Sequence, residues 1–168
     1  LLALNQLWNT QLPRQTLQDI GVKLGADVPV FVFGRPAFAT GIGDELTECA
    51  VPDAWYVVLH PGVSVPTAKI FSHQGLTRNS TPSIMRALQT TQRKNDMQSV
   101  VCQMFPEVAQ CLVKASEYGE PLMTGSGACV FLEFDKEAQA GAVFQSLSSS
   151  YAAFIAKGLQ HHPLYDGR

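Results

Sequence analysis

Charge is scarce in this sequence. Asp, Glu, Lys and Arg make up 15% of its 168 residues, against roughly 25% in a typical soluble domain. A chain so poorly charged is expected to have part of its surface covered by something else. The net charge of −2 excludes a basic nucleic-acid face. No run approaches the ~18 consecutive apolar residues of a membrane span. The first stretch lacks the positive region and small-residue cleavage site of a signal peptide. Cys49, Cys102, Cys111 and Cys129 form no C-x-x-C pair, so they read as reduced thiols of a cytoplasmic protein rather than a disulfide framework. His60, His73, His161 and His162 have no H-E-x-x-H spacing and no cysteine at zinc-ligand spacing, so no residue is assigned to a metal. The Walker pattern G-x-x-x-x-G-K-[ST] and the dinucleotide fingerprint G-x-G-x-x-G are both absent.

Apolar residues reach 46%, enough for a core in one domain or two small ones. Leu1 to Trp8 is rich in helix formers and apolar on most sides, which predicts a buried helix. Neither an N-cap nor an initiator Met precedes it, so the sequence is expected to start inside a helix whose first turns are missing. Trp8 and Trp55 both read as core aromatics. After Pro13, the spacing of Leu17, Ile20 and Leu24 predicts a helix with one apolar face, stopped by Gly25. Val28 to Phe33 is largely apolar but interrupted by Pro29. Pro36–Thr40 and Glu45–Cys49 read as strands around the turn Gly41-Ile42-Gly43-Asp44, and Trp55–Leu59 as a buried strand.

Pro66 opens a short helix reaching Phe71, and the polar loop Asn79-Ser80-Thr81-Pro82 leads to another. Asn95 or Asp96 is expected to cap the next helix. Pro106 opens a further one whose face is Val108, Cys111, Leu112 and Ala115. Arg78, Arg86, Arg93 and Lys94 read as a solvated polar face. A strand over Cys129–Phe134, a helix marked by Ala140, Val143, Phe144 and Leu147, and a last strand over Tyr151–Ala156 complete an α+β layer sandwich. Cys129 reads as a small buried residue, and His161-His162 as a solvated turn.

Three segments can carry chemistry. In Gly25-Ala26-Asp27-Val28-Pro29 an acidic residue follows a helix stop among apolar neighbours. Asp27 is either a partly desolvated proton acceptor or the cap of the turn holding Pro29. Gly125-Ser126-Gly127 enters a buried strand, either as a backbone cradle for an anion or as a tight helix–strand turn. The loop His60-Pro61-Gly62-Val63-Ser64-Val65-Pro66-Thr67 leaves a strand's carboxyl end, a frequent ligand position. Phe71 beyond it either stacks on a planar base or packs in the core.

The ordered set Leu24-Gly25-Ala26-Asp27-Val28-Pro29, Gly41-Ile42-Gly43, His60 to Thr67 and Thr124-Gly125-Ser126-Gly127-Ala128-Cys129-Val130-Phe131 resembles the superfamily of galactokinase, homoserine kinase, mevalonate kinase and phosphomevalonate kinase. Within it, the set is similar to the branch that acts on a cytidine-diphosphate-linked methylerythritol in non-mevalonate isoprenoid synthesis. The resemblance implies the end of a ribosomal protein S5 domain 2-like domain over residues 1–50, followed by a ferredoxin-like domain over 51–168. It implies transfer of the γ-phosphoryl group of ATP, with Mg2+, to the substrate's 2-hydroxyl.

On this resemblance Asp27 is the catalytic carboxylate. Phe71 stacks on cytosine, with Thr67 one helical turn before it, and Gly125, Ser126 and Gly127 support the phosphate site. The family's catalytic lysine, its glycine- and serine-rich ATP loop and its magnesium-holding group have no counterpart here. The 168 residues are therefore expected to be inactive alone. The partners implied are ATP and the small-molecule substrate, with neither nucleic acid nor membrane. A homodimer joined through Leu1 to Trp8 is the self-associating alternative. Another kinase of the same superfamily acting on a different alcohol is the enzymatic one.

Overall fold

Trp55-Tyr56-Val57-Val58-Leu59 is built of aromatic, β-branched and aliphatic residues that favour a strand, and it becomes a central strand with neighbours on both sides. The computed structural model describes residues 1–78 and 93–164. The helix expected after Asn79-Ser80-Thr81-Pro82, and Arg86, lie outside the described residues. The chain divides into two compact units. One comprises Leu1–Asp53 with the tail that begins at Leu159, and the other is Ala54–Gly158.

The first unit contains α1 (Leu2–Leu7), α2 (Arg14–Leu24), α3 (Val28–Phe33) and the hairpin β1 (Ala37–Thr40) and β2 (Glu45–Glu48). The hairpin pairs Ala37 with Glu48 through Thr40 with Glu45. Its turn has Gly41 at φ 66° and Gly43 at φ 100°, a region glycine enters without a Cβ penalty. The apolar run Val28–Phe33 is a helix because Pro29 falls in its first turn, where a missing N–H costs nothing. Gly34, left-handed at φ 77°, ends that helix, with its N–H bonded to the Val30 carbonyl. The Gly34 carbonyl accepts the His162 N–H at 2.9 Å, which ties the tail to this unit.

Several expectations for this unit are corrected. α1 buries no residue, with Leu7 75% exposed and Trp8 66% exposed, so Trp8 is not a core aromatic. A helix of six residues offers too little surface to enclose its own apolar side chains. In α2 the buried residues are Leu17, Gln18 and Gly21, while Leu24 is 67% exposed. The face is rotated because α3 packs at Gly21, where a Cβ would lie 3.0 Å from Val28 Cγ1. Gly25 does follow α2, but in extended backbone rather than the left-handed region.

The second unit contains β3 (Trp55–His60), α4 (Thr67–Ser72), α5 (Gln98–Met104), α6 (Pro106–Ala115), β4 (Leu122–Met123), β5 (Val130–Phe134), α7 (Glu137–Leu147) and β6 (Ala152–Lys157). Its sheet runs β4-β5-β3-β6 with every neighbouring pair antiparallel. That order, with helices between β3 and β4 and between β5 and β6, is the β-α-β-β-α-β arrangement of a ferredoxin-like fold. One face of the sheet carries Val57, Leu59, Val130 and Leu132 into the core.

The core-facing side of α6 is Val108, Cys111, Leu112 and Ala115, all buried as their spacing predicts. Burial of Val108 and Leu112 stabilises the fold by about 1.5–3 kcal/mol each relative to full exposure, and the smaller Cys111 and Ala115 contribute less. In α7, Ala140 and Leu147 are buried, and Val143 and Phe144 pack against the core. Trp55 is half-buried against the same core. All four cysteines are free, with Cys111 buried and Cys129 only half-buried. Burial, with Cys129 nearby, pushes the Cys111 thiol up to about 11.

Candidate active site

Asp27 occupies the position before α3 in the first unit and is exposed, not desolvated. Its carboxylate makes no capping hydrogen bond. The backbone explains this: φ −84°, ψ −9° is helical, whereas a capping residue usually adopts extended geometry. Pro29 also removes one of the N–H groups that a cap would bond. The alternative role of Asp27 as a cap is therefore not used, and its carboxylate faces solvent. The turn carrying it is braced by the β1–β2 hairpin. A Cβ on Gly43 would sit 3.0 Å from the Ala26 carbonyl oxygen, so only glycine allows this approach. The residues Gly41-Ile42-Gly43 read as a hairpin turn from sequence, while the contact of Gly43 with the Asp27 turn is a tertiary feature.

In the second unit the loop after β3 turns at Gly62 (φ 82°), whose N–H donates to His60 Nδ1 at 3.0 Å. Val65 then enters the core, and α4 begins. Phe71 on this helix is 56% exposed, which rules out the core role considered for it. Arg78 donates to the Phe71 carbonyl at 2.7 Å and to the His73 carbonyl at 3.2 Å, closing the end of α4. Arg78 is exposed, as its polar stretch predicts, and also clamps the end of α4. Lys94 pairs with Asp96 at 2.8 Å. Arg93 makes a two-point ion pair with Glu133 on β5, which raises the guanidinium's pKa. Glu133 also adds to the burial that raises the phenol of Tyr56.

The third segment folds back onto the second. Thr67 Oγ1 and Ser126 Oγ are 2.7 Å apart although 59 residues separate them. A Cβ on Gly127 (φ 91°) would lie 3.2 Å from Met123 Sδ, 3.3 Å from Val101 Cγ1 and 3.4 Å from Val65 Cγ2. The Gly127 N–H is taken by the Thr124 carbonyl at 3.1 Å, so it is not a free donor of an anion cradle. Gly125 (φ 56°) differs, because nothing lies within 4 Å of its Cβ position.

Asn95 does not cap α5. Its Oδ1 accepts the Met97 N–H at 2.9 Å, and Met97 occupies the capping position. Beside Asn95 and Gly125 opens a pocket of about 380 Å3, bordered also by Arg93, Thr124 and Phe131. Among the described residues no group of three His, Cys, Asp or Glu gathers to hold a metal, and no helix is long and apolar enough to cross a membrane.

Residues 72–153 match the family described as GHMP kinases C terminal. Over these residues the chain is similar to the C-terminal domain of the GHMP kinases. The particular resemblance runs along almost the whole sequence and is to proteins named 4-diphosphocytidyl-2-C-methyl-D-erythritol kinase. That of Chromobacterium violaceum is 51% identical over 170 residues, covering 99% of this chain and 60% of the relative. That of Neisseria meningitidis serogroup A is 50% identical over 165 residues, covering 98% of this chain and 59% of the relative. The chain thus spans about 60% of the length of the curated relatives it matches. A crystal structure of 4-(cytidine 5'-diphospho)-2C-methyl-D-erythritol kinase superposes with a TM-score of 0.76 at 27% identity, covering 93% of this chain and 60% of that one.

Proposed function

We propose that this chain is part of an ATP-dependent kinase that phosphorylates the 2-hydroxyl of 4-diphosphocytidyl-2-C-methyl-D-erythritol. The observation that carries the reading is the Thr67–Ser126 hydrogen bond beside an exposed Phe71. It joins two of the resemblance's motifs at one place and leaves an aromatic face free for a planar base. On this reading, the first unit is the end of the N-terminal kinase domain and the second is the C-terminal domain.

In the reaction, the substrate hydroxyl oxygen attacks the γ-phosphorus. The bond from that phosphorus to the β-phosphate oxygen breaks and ADP leaves. Asp27 accepts the hydroxyl proton, a role that contributes ~10²–10⁴-fold in rate when the base is well placed. Phe71 stacks on cytosine, Thr67 lies beside it, and the Gly125-Ser126-Gly127 turn supports the phosphates. Phosphoryl transfer otherwise depends on positioning and electrostatics at the phosphates. The described residues offer no carboxylate cage for Mg2+, so no step is assigned to the ion here.

These 168 residues contain neither the glycine- and serine-rich ATP loop nor the catalytic lysine of the family. Alone, they are expected to release no ADP. The test is a coupled ADP-release assay of the full-length enzyme and of this 168-residue chain, with the cytidine-bearing alcohol, mevalonate and homoserine. Turnover of only the first alcohol, and only by the full-length enzyme, fits the reading. Preference for mevalonate or homoserine would replace the substrate, and robust turnover by the 168 residues would overturn the division of labour.

A second reading has one observation behind it. Leu4, Leu7 and Trp8 present an exposed apolar edge, which suits self-association. Light scattering of the chain decides this: a dimer dispersed by Trp8→Glu supports it, and a monomer removes it.

A further inference from the structure

The Gly125 turn is held by a side chain that the kinase reading does not use. Asn95 Nδ2 donates to the Met123 carbonyl and to the Gly125 carbonyl, both at 2.8 Å. Its Oδ1 takes the Met97 N–H at 2.9 Å. Two carbonyls need the amide's two donors and one N–H needs its acceptor, so the side chain has a single satisfactory orientation. β4 supplies only two residues of sheet pairing next to this turn. At Gly125 itself nothing lies within 4 Å of where a Cβ would stand. Gln98 also reaches this stretch, where its Oε1 accepts the Met123 N–H at 3.1 Å.

Among the described residues the only cis peptide is Gly127–Ala128, so the Gly125–Ser126 peptide is trans and planar. In a trans peptide the carbonyl and the following N–H point in opposite directions. Pinning the Gly125 oxygen on Asn95 therefore fixes where the Ser126 N–H aims, away from Asn95. The neighbouring Gly127 N–H is consumed within the turn. Ser126 is thus held twice, through its peptide plane by Asn95 and through its hydroxyl by Thr67.

The geometry points to Asn95 as a positioning residue for phosphoryl transfer: it aims the Ser126 backbone N–H as a fixed donor to the phosphate oxygens. This assignment rests on the kinase reading for its ligand, but not for its geometry. A preset donor costs no reorganisation when charge moves in the transition state.

The test uses the full-length enzyme with Asn95→Asp and Gln98→Ala, assayed well below both melting temperatures. Asn95→Asp keeps an acceptor for the Met97 N–H but sets a carboxylate oxygen against two carbonyls. We expect its kcat to fall about tenfold to a hundredfold, the size of effect that a small misplacement causes, with KM for the cytidine-bearing alcohol within twofold. The Ser126 amide resonance should move in Asn95→Asp and stay in Gln98→Ala, which should lose thermal stability only. If both variants lose stability alike and neither splits kcat from KM, the assignment is overturned. An unmoved Ser126 resonance in Asn95→Asp also overturns it. Should the wild type not phosphorylate the cytidine-bearing alcohol, the substrate reading falls, while the Ser126 resonance, read without substrate, still decides the role of Asn95.

Discussion

The two units of this chain differ in how they use apolar residues. In Ala54–Gly158 the sheet and helices enclose one continuous core running from Val57 to Leu147. Among the described residues of the unit formed by Leu1–Asp53 and the tail, only Leu17, Pro29 and Val32 of the larger apolar side chains are buried, while Leu7, Trp8, Leu24, Phe31 and Ile42 are exposed. Composition alone does not separate these regions, because both contain ample Leu, Val and Phe. The difference lies in closure. A four-stranded sheet with helices across one face can bury a side chain from several directions, whereas three short helices and a two-stranded hairpin cannot. On the proposed function, the thinly packed unit carries the reactive carboxylate and the well-packed unit carries the aligned turn.

The largest expected effect tests that assignment of chemistry. In the full-length enzyme, Asp27→Asn is expected to lower kcat by ~10²–10⁴-fold, the contribution of a general base. Because this side chain is exposed and makes no capping bond, the melting temperature should stay within a degree or two. An unchanged rate removes Asp27 from the mechanism.

Core truncation contrasts the units directly. Leu59 is fully buried on β3, so Leu59→Ala should cost about 2–5 kcal/mol in denaturant unfolding. Leu24→Ala, at an exposed site, should stay within about 0.5 kcal/mol. A large cost at Leu24 would mean that something covers it in solution, and the contrast between units would fail there.

Smaller effects sharpen the picture at the turn. Gly127→Ala places a methyl against Met123, Val101 and Val65 at a left-handed φ, a strain of about 1–3 kcal/mol visible as a lower melting temperature. Ser126→Ala removes the hydroxyl partner of Thr67 and should cost about 0.5–1.5 kcal/mol, with weaker binding of the cytidine ligand if this bond sets the position of α4.

The smallest effect at working pH comes from Cys111. Its folded-state pKa, raised by burial from 9.0 to about 11, favours the neutral thiol. That contribution is fully present below pH 9 and is lost as pH rises through about 11. The second unit should therefore melt progressively earlier over this window in the wild type, and less so in Cys111→Ala. Thiol reagents at neutral pH should label Cys49 before the buried Cys111.

What could be read in advance was local. Val108, Cys111, Leu112 and Ala115 announce their face because helical period and burial coincide there. Pro106 and Pro66 mark helix starts, and the glycines at 41 and 43 mark a hairpin turn. Misreadings arose where local pattern and tertiary closure disagree. Trp8 and Leu24 look like core residues by pattern, yet both stay about two-thirds exposed. The face of α2 was rotated by its contact with α3 at Gly21, which no periodicity within α2 reveals. Asn95 looked like a helix cap because capping is the commonest local use of Asn, whereas two of its three hydrogen bonds reach 28 and 30 residues along the chain.

Most of the elements, their α+β order and the ordered motifs that resemble the kinase superfamily were legible in the residues, whereas β4 at Leu122–Met123 and the helical state of Val28–Phe33 were not. Only the tertiary structure decided that Thr67 meets Ser126, that Phe71 stays exposed, that Gly43 braces the Asp27 turn and that Asn95 grips Gly125. The physical reason is range. Backbone preference and side-chain periodicity act over a few residues, while these meetings depend on where sheet order and helix packing bring distant stretches of the chain.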